Sequence, residues 1–265
     1  MARLRRRTRQ RISLWVQYGA FVAVVAVVAV SADWHTLRES FFRLDIVRGM
    51  FPELITVALR NTVLFTLAAF AFGLVLGVVL ALMRLSRVTP YRWFATAYVE
   101  LFRGLPALLV LFVVAYGVPT AFPDREIPGG VYGQVGIGLG LVSAAYIAET
   151  VRAGIQAVPR GQTEAARTLG MSQGRAMRQI VLPQAFRIVI PPLTNEIILL
   201  TKDSSLAYVL GVTAGTIELT KFGRDVLTQT VNPTPLLAAG LCYLIITLPL
   251  SQLVRRLELR YNKAR

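Results

Sequence analysis

Residues 159–183 read PRGQTEAARTLGMSQGRAMRQIVLP, and this stretch decides the fold because it cannot lie in a bilayer although apolar runs flank it. Arg160, Arg167, Arg175 and Arg178 keep it in water, while Ala165, Ala166, Leu169, Met171, Met177, Ile180 and Val181 give it an apolar side. Thr163 or Gly161 can open a first short helix, and Gly170 suits the left-handed residue that closes one. Ser172 can cap a second helix, and Pro183 marks where the next segment begins. The pattern predicts two short amphipathic helices bent at Gly170, presented between apolar spans as a knob for another protein to grip. The competing reading is an amphipathic loop helix that only rests on the membrane surface.

Outward from this stretch the chain turns apolar. Of its 265 residues 55% are hydrophobic and 16% charged, with a mean hydropathy of +0.57. That composition, with charge gathered between apolar runs, is the pattern of an all-α polytopic membrane protein. The net charge of +15 is not read as a nucleic-acid surface, because the basic residues cluster beside the spans. A lone Cys242 excludes an intrachain disulfide and a thiolate metal site, and a single His35 argues against a histidine relay. No Gly-x4-Gly-Lys-Ser/Thr loop occurs, so ATP hydrolysis is not expected in this chain.

About six spans are expected. Residues 1–32 combine an arginine-rich start with an apolar run over 14–30, which resembles a signal peptide ending at Val30-Ser31-Ala32 but is longer than the usual signal core. A retained first span is the favoured reading. Residues 33–57 mix both charge signs with aromatics and read as an external connector. Further spans are expected over 58–83, 94–118, 131–158, 185–210 and 236–254, the fifth broken by Pro191-Pro192 and by the polar run 201–205. Residues 211–235 read as an outer loop, and 257–265 as a basic cytoplasmic tail. The positive-inside rule is met with both termini cytoplasmic.

Within 159–183, Glu164-Ala165-Ala166 is followed after three residues by Gly170 and after nine more by Ile180 and then Leu182-Pro183. This spacing resembles the cytoplasmic EAA loop of type I ABC importer permeases. "YVELFRGLP" at 98–106, "AAYIAETVRAGI" at 144–155 and "KDSSLA" at 202–207 resemble the branch that carries polar amino acids, so the likeness covers roughly residues 53–225. Many relatives lack the first span. The resemblance implies a five-helix permease core over 58–256, preceded by an N-terminal helix, with Glu164, Ala165, Ala166, Leu169, Gly170 and Met171 as the ATPase-coupling residues. It implies no cofactor in this chain, with ATP and Mg held by a partner ATP-binding subunit dimer. The other implied partners are a second permease chain, identical or similar, and an extracytoplasmic substrate-binding protein that delivers a polar amino acid. The implied location is the bacterial plasma (inner) membrane.

Ionisable residues in a span need a reason, because an unpaired one costs a few kcal/mol. Glu100 with Arg103, and Glu149 with Arg152, lie three apart on one helix face and suit local ion pairs. Gly73, Gly77, Gly136, Gly138 and Gly140 read as helix-packing faces. The run Lys202, Asp203, Ser204 and Ser205 cannot face lipid and is expected to border the substrate path, with Asn61, Thr62 and Glu149 as further wall residues. Lys202 and Asp203 pairing with each other or across a dimer is the structural alternative. A channel or secondary transporter without an ATPase, and an integral membrane enzyme, are the other classes weighed. The first would have no use for the 159–183 loop, and the second lacks a catalytic constellation.

Overall fold

A computed structural model describes residues 2–262, and among these only helices and their connections occur. The chain divides into two units, residues 1–44 and 45–265.

The first unit is helical. α1 (Ala2–Ser31) carries an apolar stretch from Ser13 to Ser31 that is long enough to cross a bilayer. α2 (Trp34–Phe41) starts at Asp33, which accepts from the Thr36 backbone N–H and hydroxyl. Those two donors, the hydroxyl first, hold the exposed Asp33 carboxyl below its usual range.

The second unit opens with α3 (Leu44–Gly49) and a wide π turn over Leu54–Leu59 that feeds α4 (Arg60–Leu85). α5 (Thr89–Gly104) and α6 (Ala107–Phe112) follow, then a π turn over Val113–Gly117 and α7 (Val118–Ala121). The single span expected over 94–118 is therefore two arms, bent by 108° where α5 gives way to 107–121. The cause is local: Leu105 precedes Pro106, and both adopt extended backbone, which ends the helix there.

α8 (Val131–Gln156) runs against α4 along most of its length. Gly77 makes that approach possible, since a Cβ there would lie 2.8 Å from Ile147 Cβ. The four other glycines read as packing residues press as closely on α4, α6 or α8, so the packing reading holds.

α9 (Arg160–Thr168), α10 (Gln173–Ala176) and a π turn over Met177–Val181 form the 159–183 segment. α11 (Leu182–Asp203) then passes through Pro191 and Pro192 without ending, against the expected break. The regular helix ends later, at Asp203, where it tightens into a 3₁₀ turn over Ser204–Leu210 closed by left-handed Gly211. α12 (Leu219–Thr230) and α13 (Thr234–Asn262) complete the chain.

Four described helices are long and apolar enough to span, or five if the α5–α7 pair is one bent span. α11 falls outside that group because Arg187, Asn195, Glu196, Lys202 and Asp203 dilute its apolar character. The core gathers Phe65 and Ala69 of α4, Leu111 of α6, Val135 and Leu139 of α8, and Leu200 and Ala207 into one cluster. At another level Leu80, Ala95, Val99, Ala144 and Ala148 close α4, α5 and α8.

Candidate functional site

Glu196 and Asp203 are seven residues apart on α11, so two helical turns stack them on one face about 10 Å apart along the axis. α8 opposes them with Ser143 and Tyr146, and α6 closes the end with Ala107. Between these helices lies a cavity of about 230 Å³, lined also by Leu139, Val142, Leu199 and Leu200. Both carboxylates are partly buried, and among the described residues no cation lies within 4 Å of either. Ser143 Oγ is buried and makes no close hydrogen bond among the described residues, and the group it faces is the Glu196 carboxylate. An apolar chamber with two carboxylates, no described cation within 4 Å of either, and a hydroxyl beside one of them suits a ligand that brings positive charge and donors.

Asp203 is the one residue of the 201–205 run that borders this cavity. Lys202 is exposed and makes no salt bridge with Asp203, Ser204 is buried and donates to Thr201 O at 2.7 Å, and Ser205 is half-buried. Asn61 and Thr62 are also away from it. Asn61 Nδ2 donates to Gly215 O (3.0 Å) and Ile217 O (2.9 Å), and its Oδ1 accepts from Tyr132. Thr62 Oγ1 accepts from Leu219 N at 3.2 Å, so the two residues pin the 215–219 segment to α4. Glu218, fully buried, caps α12 by accepting from Thr220 N and Lys221 N, and Tyr243 OH donates to it at 3.0 Å.

Glu149 sits at the other end of α8 and is bound on both sides, by Arg152 and by Arg84 of α4. The Arg152 pair was expected; Arg84 was not, because a partner 65 residues away leaves no spacing signal. Arg152 Nη1 also donates to Gln156 Oε1 at 2.6 Å. The expected Glu100–Arg103 pair does not form: both residues are exposed, and the Arg103 guanidinium lies 5.8 Å from the centre of the Tyr146 ring. Glu196 was missed by sequence reasoning. Its position one helical repeat before Asp203 was the available signal.

In the 159–183 segment, Gly170 has φ +82°, and Met171 N donates to Ala166 O at 3.1 Å while Gly170 N donates to Arg167 O at 3.0 Å. These two bonds are a Schellman closure of α9. Glu164, Ala165, Gly170 and Leu169, which is 84% exposed, face outward, Met171 is half-buried, and Ala166 is buried against the turn that follows. Arg87 Nη2 donates to Gln173 Oε1 at 3.0 Å and ties the α4–α5 connection to α10.

Residues 73–263 match the family described as binding-protein-dependent transport system inner membrane component. The chain belongs to that family. This permease is 42% identical over 205 residues to the probable glutamine ABC transporter permease protein GlnM of Bacillus subtilis (strain 168), covering 77% of this chain and 91% of that one. It is 37% identical over 246 residues to the arginine transport system permease protein ArgU of Corynebacterium glutamicum, covering 88% and 75%. The glutamate/aspartate import permease protein GltK of Escherichia coli O6:H1 is 37% identical over 206 residues, covering 75% and 89%. Among solved structures, an amino acid ABC transporter crystallised with histidines matches at a TM-score of 0.72 and 34% identity, over 82% of this chain and 97% of that one. An alginate-importing ABC transporter shares the fold at a TM-score of 0.65 and 15% identity. The permease is thus a multi-pass inner-membrane transport subunit and not an enzyme. Its family implies a separate binding protein and a separate ATPase.

Proposed function

We propose that this permease forms the translocation path of an ATP-driven importer for a polar amino acid, with both termini in the cytoplasm. The names of its relatives support the substrate class, and the arginine distribution supports the orientation. ATP and Mg belong to the partner ATPase dimer. A second permease chain, identical or similar, completes the path, since so few spans cannot readily enclose one alone. ATP-driven closure of the ATPase dimer draws together the two α9–α10 segments, gripped through Glu164, Ala165, Ala166, Leu169, Gly170 and Met171. That movement turns the path toward the outside, where the binding protein releases substrate.

The observation that carries this reading is the cavity in which Glu196, Asp203 and the Ser143 hydroxyl converge with no described cation within 4 Å of either carboxylate. The substrate's ammonium group supplies the missing cation. Lys202, exposed beside Asp203, continues the path, while Glu149 braces α8 to α4 outside it.

The test is uptake of labelled amino acids into vesicles holding the permease with its ATPase and binding protein. A charge-assisted hydrogen bond is worth about 1.5–3 kcal/mol, so the double variant Glu196→Gln, Asp203→Asn loses at least about tenfold in uptake while basal ATP hydrolysis persists. Unchanged uptake would remove the cavity from the path.

A further inference from the structure

A second pocket lies at the far end of α8, between the last turn of α4, the start of α5 and the last turns of α8. It measures about 510 Å³ and is lined by Arg84, Arg92, Trp93, Thr96, Ala97, Arg152 and Gln156. Three guanidiniums meet there, and the single carboxylate in reach, Glu149, is shared by Arg84 and Arg152. Two positive charges are left over. Arg92 makes only a 3.3 Å bond from Nη2 to Thr89 Oγ1, and among the described residues no carboxylate lies within 4 Å of it.

The surroundings say what kind of anion fits. Arg84 follows the apolar stretch of α4, so the pocket lies at the level where that span leaves the hydrocarbon. The opening turn of α5 exposes Tyr91, Trp93 and Phe94, and Trp93 is 75% exposed. Exposed aromatics beside arginines at a span end are the composition of a membrane interface. A phospholipid covers them with its acyl chains while its phosphate meets the guanidiniums, and basic pockets between spans on the cytoplasmic side bind anionic head groups in this way.

We infer that the Arg84–Arg92–Arg152 pocket holds the phosphate of an anionic membrane phospholipid, with Trp93 against its glycerol and upper acyl chain. The bound lipid balances the charge that Glu149 leaves over and braces the α4–α5 connection, which Arg87 links to α10. It acts apart from the substrate cavity, so its test does not depend on the transported solute.

The measurement uses the full chain in nanodiscs with Trp15→Phe and Trp34→Phe, which leaves Trp93 as the one tryptophan. Acyl-brominated phosphatidylglycerol and acyl-brominated phosphatidylcholine are compared as quenchers in a phosphatidylcholine bilayer. The expected result is quenching of Trp93 by the anionic lipid at a several-fold lower mole fraction. One arginine near an anionic surface contributes about 1 kcal/mol, so Arg92→Gln lowers this preference about fivefold. Arg92→Lys keeps most of it, and Arg255→Gln, at the exposed end of α13, leaves it unchanged. Equal quenching by the two lipids, or no effect of Arg92→Gln in a chain of normal gel-filtration profile, overturns the proposal. A loss with Arg255→Gln as large as with Arg92→Gln would mean diffuse attraction and no pocket. Millimolar inorganic phosphate is expected not to relieve the quenching; relief would assign the pocket to a soluble anion instead.

Discussion

Six residues apart on α8, Ser143 and Glu149 belong to two arrangements of partly buried charge that differ in whether a cation is present. At one end Glu149 is clasped by Arg84 and Arg152. At the other, Ser143 faces Glu196 and Asp203, which have no cation within 4 Å. A carboxylate removed from water is costly unless paired. The paired end has met that cost within the chain and reads as a brace joining α4 to α8. The unpaired end has not, and it is the place where a passing cationic group gains most. The same residue type on one helix pair is thus structural or functional according to its neighbours.

The sharpest way to break this contrast is to neutralise each end and compare stabilities. Glu149→Gln strands Arg84 and Arg152, whose side chains are 16% and 25% exposed. Losing one partner of a buried pair costs 3–5 kcal/mol, and partial exposure lowers the expected loss to about 2 kcal/mol, roughly 5 °C in the unfolding midpoint in detergent. An unchanged midpoint would end the brace reading.

The next effect is expected beside the paired end, where Arg87 joins α4 and α5 to the 159–183 segment. Gly170→Val forces a β-branched residue into φ +82°, at a cost of about 1–2 kcal/mol to the α9 closure, although space around Gly170 is open. Insertion should be normal while substrate-stimulated hydrolysis by the ATPase falls severalfold. Full stimulation would detach this bend from coupling.

A smaller change of opposite sign is expected at the unpaired end. Glu196→Gln removes an uncompensated charge, so the midpoint holds or rises, by up to about 1 kcal/mol of stability, even as uptake falls. A loss as large as that of Glu149→Gln would show that both ends are structural.

The smallest effects belong to the hydroxyls of the 3₁₀ turn. Ser204 is committed to Thr201 O, so Ser204→Ala is expected to cost up to about 1 kcal/mol in stability and to change uptake less than about twofold. A severalfold fall in uptake with either Ser204→Ala or Ser205→Ala would extend the path along the whole 201–205 run, as the sequence pattern suggests.

Local chemistry was enough to foresee several of these features. The bend at Gly170, the Ser172 cap, the Glu149–Arg152 contact at three residues' spacing and the glycine-lined packing of α8 all follow from interactions within a turn or two, or from residue size alone. Hydropathy likewise marked α1, α4, α8 and α13, because burying about twenty apolar residues needs no knowledge of neighbours.

What only the tertiary structure decided are the meetings between distant residues. Nothing in the run around Lys202 tells which of its polar groups turns toward α8, and only Asp203 does so. Asn61 and Thr62 looked like wall residues until their partners at 215–219, over 150 residues away, became visible. Arg84 reached Glu149 because α4 packs along α8, and Ser143 came to face Glu196 and Asp203 because α8 packs against α11. Helix and turn are set by short-range sterics and hydrogen bonds within the chain. Whether a buried charge has a partner depends on which helices pack together, and that depends on surfaces far apart in the sequence.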